Sequence, residues 1–128
     1  MSYYLSKITD YDFEKALVRV EEELKAEGFG ILTEIDVQST LKKKLDVDYK
    51  KYKILGACNP PLAYKALTSE DKIGVMLPCN VIVEENNENK IEVAMVNPFE
   101  AMQGVKNEKL SAIALEVSKK LETVLEKI

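Results

Sequence analysis

The run Tyr52-Lys53-Ile54-Leu55-Gly56-Ala57-Cys58-Asn59-Pro60-Pro61-Leu62-Ala63 changes from strand to helix with no loop between. Residues 52–57 carry the aromatic and β-branched content of a strand. Asn59 is a favoured helix N-cap, and Pro60 suits the first helical position. Pro61 is tolerated in the same turn, where a missing N–H lacks an intrahelical partner anyway. Leu62, Ala63, Ala66 and Leu67 then supply an apolar side to a short helix over residues 60–67. A strand that feeds a helix this directly makes the chain a mixture of α and β structure.

The pattern extends in both directions. Upstream, residues 3–8 read as a strand, and Thr9 or Asp10 is placed to cap a helix. Phe13, Ala16, Leu17, Val20 and Leu24 recur at helical spacing. Gly28 and Gly30 stop that helix, with Phe29 as the apolar contact that accompanies such stops. Ile31, Thr33, Ile35 and Val37 alternate with Leu32, Glu34 and Asp36 as a second strand, and residues 38–44 form a short helix. Downstream, residues 73–85 read as the longest strand. The cluster Asn86-Asn87-Glu88-Asn89 turns the chain into a hairpin partner carrying Ile91, Val93 and Met95. Asn97-Pro98 opens a loop through Gly104. Asn107 caps a last helix, whose apolar stripe runs through Leu110, Ile113, Ala114, Val117, Leu121, Val124, Leu125 and Ile128. The expectation is one α+β domain over residues 1–128, a largely antiparallel twisted sheet backed by two main helices. Its order is β-α-β, then further strands, then a C-terminal helix.

A chain of 128 residues is long enough for a core without disulfide staples. The longest apolar run, near Val75 to Val83, is far too short for a bilayer span. The N-terminal residues lack the basic and apolar regions of a signal peptide. A cytoplasmic protein with reduced thiols and no membrane partner is the expectation. The net charge is −4, and Arg19 is the only arginine. Bidentate reading of phosphate or guanine favours arginine, so the composition argues against nucleic acid as a partner. Lys42, Lys43, Lys44, Lys50, Lys51 and Lys53, with Tyr49 and Tyr52 among them, form a candidate anion patch. Asp46 and Asp48 dilute it, and a solvated helix-loop surface explains it more simply.

The chain contains no histidine and two cysteines. The usual general base near neutral pH is therefore missing, and the thiols are the groups whose chemistry lies nearest to it. Each cysteine precedes an asparagine and lies near proline: Cys58-Asn59-Pro60 and Pro78-Cys79-Asn80. Cys58 is expected at a strand end just outside a helix N-terminus, where a thiolate is stabilised; a small buried hydrophobe at a tight turn is the other reading. Cys79 shares a strand face with Val81 and Val83 and is expected to be buried. Pro78 signals an edge, a bulge or a break. The thiols with Met76, Met95 and Met102 make a weak soft-metal ligand set, in which Cys58, Cys79 and Met102 are the candidates. A closed zinc site lacks its usual ligands. Tyr64 is a further candidate beside Cys58.

These residues carry a resemblance. The run from Tyr52 to Pro60, Ala63 and Leu67, Ile73-Gly74, and Leu77-Pro78-Cys79-Asn80-Val81 resemble the family known as domain of unknown function 302. Ile35-Asp36-Val37, Leu41-Lys42, Asn97-Pro98 and Met102 fit it too, so the resemblance covers nearly the whole chain. It implies a small α+β domain similar in outline to the TATA-binding-protein-like architecture, and a homodimer. It implies no activity and no cofactor. Its signature falls on Cys58, Asn59, Pro60, Pro78, Cys79 and Pro98. Members often carry an acid before the later proline, where this chain has Asn97.

Three functional readings follow. In the first, the chain is a binding module for a small ligand or a soft metal, held by Cys58, Asn59, Pro60, Pro78, Cys79 and Asn80. In the second, it is a thiol enzyme or a sulfur or redox carrier, with Cys58 as nucleophile and Cys79 as resolving thiol. In the third, it is a structural protein whose cysteines belong to the core.

Overall fold

The computed structural model describes residues 2–128. In chain order the elements are β1 (Tyr4–Thr9), α1 (Phe13–Ala26), β2 (Gly30–Asp36), α2 (Val37–Leu45), β3 (Tyr52–Cys58), α3 (Pro60–Ser69), a 3-10 helix (Asp71–Met76), β4 (Cys79–Glu85), β5 (Ile91–Val96), α4 (Pro98–Ala101) and α5 (Glu108–Lys127). The five strands form one antiparallel sheet in the order β1-β5-β4-β3-β2. The α+β class and its antiparallel sheet match the expectation. The strand order was not legible: β1 and β2 are consecutive along the chain yet occupy opposite edges.

One sheet face is covered. Leu55 and Ala57 of β3, Val81 and Val83 of β4, and Val93 and Met95 of β5 pack with Ala16, Val20 and Leu24 of α1. Val117, Leu121 and Val124 of α5 complete this core. Arg19, midway along α1, ties that helix to the end of α5: its guanidinium donates to the Lys127 carbonyl at 2.7 Å and pairs with Glu22 and Glu23. A second, smaller core joins Ala66 of α3, Ile73, Met102, and Leu110 and Ala114 of α5.

The ends of α1 show how local chemistry sets element boundaries. Asp12 is the cap, accepting from the Lys15 N–H at 2.8 Å, not Thr9 or Asp10. Thr9 belongs to β1, and its hydroxyl donates to the Ile91 carbonyl. At the other end Gly28 takes a left-handed φ of 86°. The Gly28 N–H donates to Lys25 and the Phe29 N–H to Leu24, while Phe29 is buried, so the stop is a Schellman motif. Gly30 is already strand.

Three other expectations are corrected. Val37 opens α2 because the Asp36 carboxylate accepts from the Ser39 N–H at 2.9 Å and caps a helix there. Residues 73–78 are not strand: Asp71–Met76 is a 3-10 helix, and β4 starts only after the cis Leu77-Pro78 bond. A proline cannot donate to a ladder, so the pairing begins at Cys79 opposite Ala57. Asn97-Pro98 starts a short helix, with the Asn97 side chain accepting from the Glu100 N–H. By contrast, Asn59 caps α3, Asn107 caps α5, and the 86–89 turn joins β4 to β5, as the sequence indicates.

Candidate ligand-binding site

Between the two cores lies a cavity of about 260 Å³. Its existence follows from a division within α3. Leu62 packs into the main core, and Ala66, one turn on, packs into the smaller one. Ala66 and Ala114, which face the cavity from α3 and α5, are both small, so the seam between the cores is left unfilled.

The sheet brings both thiols to this seam. Cys58 ends β3 and is half-buried; Cys79 begins β4 and is buried. Both line the cavity and both are free thiols. Burial pushes the Cys79 thiol up from its ordinary 9.0 to about 11, and the neighbouring Cys58 adds to the effect. Cys79 is therefore held as a neutral thiol at ordinary pH. The alternation of β4 turns Asn80 to the other, exposed side, where it lines a shallow groove with Tyr52 and Glu84.

Asn59 is the amide in the lining, and its polar atoms are engaged elsewhere. Its Oδ1 accepts from the Leu62 N–H at 3.4 Å, and its Nδ2 donates to the Glu27 carbonyl at 3.3 Å. No charged side chain lines the cavity. Of the residues that the resemblance singles out, Cys58, Asn59, Pro78, Cys79 and Pro98 all line it. Pro60 does not; it is exposed on the first turn of α3.

Other sequence candidates disperse. Met102 joins the two thiols in the lining, while Met95 lies in the main core and Met76 is exposed. Tyr64 is 71% exposed, away from the cavity. Among the described residues, no group of three or more Cys, Asp or Glu is placed to hold a metal ion. Three of the six lysines in the lysine-rich stretch are paired with carboxylates. Lys42 pairs with Asp46 and Asp48, Lys50 with Glu84 at 2.6 Å, and Lys53 with Glu34 at 2.8 Å.

The sequence reading did not assign Phe29 or Leu32 to a site, and both line the cavity. Leu32 is the extra residue of a β-bulge: Ile31 pairs with Ala57 and Thr33 with Gly56, leaving Leu32 without a partner. A bulge re-aims a side chain, and Leu32 stands 67% exposed at the cavity's rim. Strict alternation hides such a residue. Gly56 shapes the same corner. A Cβ there would meet the Thr33 hydroxyl and approach Pro78 Cγ to 2.7 Å. Only glycine lets β2 and the Pro78 turn close over β3.

The family model described as "Domain of unknown function DUF302" matches residues 5–128. A crystal structure of an uncharacterised conserved DUF302 protein from Bacillus stearothermophilus is similar over 99% of this chain and 98% of that one, with a TM-score of 0.93 at 27% identity. No curated protein matches the chain. No helix among the described residues is long and apolar enough to cross a membrane.

Proposed function

The chain belongs to the DUF302 family, a family without an assigned activity, and we propose that this member is a binding module whose ligand enters the cavity beside Cys58 and Cys79. The observation that carries the reading is the cavity itself: an unfilled seam between two packed cores, with both thiols in its wall. Interiors close-pack, and voids larger than a water are few, so an apolar seam of this size in a small domain is the default binding site. The sulfurs of Cys58, Cys79 and Met102 keep a soft metal within this reading.

On this proposal the protein acts in the cytoplasm with reduced thiols, and as a homodimer. Support for the dimer comes from the second sheet face. The side chains of Ser6, Ala94, Ile82, Ile54 and Ile35 form one cross-strand row over all five strands. Ile35, Ile8 and Tyr4 on this face are 49%, 54% and 43% exposed. A second copy is the occupant that would cover this apolar row. The TATA-binding-protein-like outline serves here as architecture without DNA recognition. Glu84 and Glu92 face each other on the open sheet, a poor surface for a polyanion.

The proposal is tested on freshly purified, reduced protein by native mass spectrometry with metal analysis, before and after denaturation. A bound species released on unfolding, and lost when Ala66→Phe fills the cavity, is expected. A species retained at equal occupancy by that variant would place binding elsewhere.

A second reading, thiol redox chemistry, is favoured by the placement of both free thiols in one cavity wall. It requires α-carbons within about 7 Å, and it predicts that a mild oxidant such as oxidised glutathione closes a Cys58–Cys79 disulfide. Two thiols that stay free under that oxidant exclude it.

A further inference from the structure

Resting on the binding reading above, we infer that the ligand is an uncharged, mostly apolar organic molecule of about ten non-hydrogen atoms, and not an anion or a metal ion. Size comes first. An apolar cavity of about 150 Å³ holds benzene, about 25 Å³ per non-hydrogen atom. At that ratio, about 260 Å³ takes about ten such atoms.

Charge comes second. A carboxylate or phosphate taken out of water needs a cation or several N–H donors. The wall offers neither. It contains no lysine or arginine, and the Leu62 N–H beside it is already bound by Asn59 Oδ1. The amide Nδ2 of Asn59 is directed to Glu27. An organic cation fares no better, because no carboxylate lines the wall. The remaining polar groups are thiols and a thioether, which are weak hydrogen-bonding partners.

The third argument concerns the metal. Among the described residues no group of three or more Cys, Asp or Glu is placed to hold one, and the wall carries no charged side chain to balance a cation. The thiols serve instead as soft, polarisable wall for an apolar guest. Leu32 and Leu67 are 67% and 41% exposed at the rim, so the apolar character continues to the mouth. A guest therefore enters without meeting a charged collar.

The test uses the full reduced chain, labelled with ¹⁵N, and three probes: naphthalene, 1-naphthoate and Cu(I). Naphthalene matches the inferred size and charge, and 1-naphthoate adds only a carboxylate. Amide shifts that saturate and centre on Cys58, Leu62, Ala66 and Cys79 are expected with naphthalene, and binding of 1-naphthoate at least about tenfold weaker. Ala114→Leu, a smaller intrusion than Ala66→Phe, should weaken naphthalene at least about tenfold while far-ultraviolet circular dichroism stays native. If 1-naphthoate or Cu(I) binds in the cavity as tightly as naphthalene or more so, the ligand class is overturned and the binding reading stands. If none of the three shifts the cavity amides, both fall.

Discussion

Asn59 donates through Nδ2 to the carbonyl oxygen of Glu27 at 3.3 Å, across 32 residues of chain. One side chain thereby caps α3 and holds the stop of α1, since Oδ1 of the same amide accepts from the Leu62 N–H. Gly28 is packed into this junction: a Cβ on it would lie 3.1 Å from Asn59 Nδ2. The junction sets where the N-terminus of α3 stands over the sheet, and so positions the wall in which Cys58 and Leu62 lie.

Asn59→Ala removes both hydrogen bonds. A lost N-cap costs about 1 kcal/mol, and the unpaired, partly buried Glu27 carbonyl adds about 1 kcal/mol. Urea unfolding should therefore show a loss of about 2 kcal/mol. A loss under about 0.5 kcal/mol would mean that the amide does not tie the two helices together.

Gly56→Ala places a methyl against the Thr33 hydroxyl and Pro78. Overpacking of this kind costs about 1–3 kcal/mol. Adding Thr33→Ala removes the closer of the two obstructions, so the double variant should recover part of the loss. Strictly additive effects in the double-mutant cycle would contradict contact at this corner.

Cys79 and Cys58 should differ sharply in alkylation. Cys58 is half-buried at the cavity, whereas Cys79 is 8% exposed and holds its proton to about pH 11. Reduced protein at pH 8 should be modified first at Cys58, with Cys79 following only on unfolding or in strong alkali. Peptide mapping over time reads this directly, and equal rates at the two sites would refute it.

The same thiol gives stability a pH dependence. Its pKa is raised in the folded state, from 9.0 to about 11, so its contribution is fully present below about pH 9. It is lost as pH rises toward 11, where the unfolded chain releases the proton and the folded chain does not. At about 1.4 kcal/mol per pH unit, the loss reaches about 3 kcal/mol. Cys79→Ala should lack this component. Lys50, Lys53 and Tyr52 are also raised by their surroundings but remain in the variant, so they cancel in the comparison. Parallel stability curves for the two proteins between pH 8 and pH 11 would disprove the assignment.

The dimer through the open sheet face predicts a mass of two chains in light scattering. Ile82→Lys puts a charge at the centre of the cross-strand row and should yield a folded monomer. A wild-type monomer at high micromolar concentration, or a variant dimer of undiminished affinity, would rule this face out.

Short-range chemistry is legible along the chain. Asn59-Pro60 and Asn107 start helices because an amide oxygen beside the first turn meets free N–H groups within a few residues. Gly28 with Phe29 ends α1 for the same local reason, and period-two alternation correctly buried Cys79, whereas Asn80, expected at the ligand site with it, faces the other side of the sheet. Where a local signal has competitors, the structure selects another: Asp12, not Thr9, caps α1, and residues 73–78 form the end of a 3-10 helix and a proline turn. The sheet order, the β-bulge at Leu32 and the cavity emerge only when distant segments pack together. Each depends on partners far apart in the chain: β1 pairs with β5, Thr33 pairs with Gly56, and Ala66 and Ala114 line one cavity. A void leaves no mark in a periodic pattern, because it is set by the volumes of facing residues that the sequence does not reveal as neighbours.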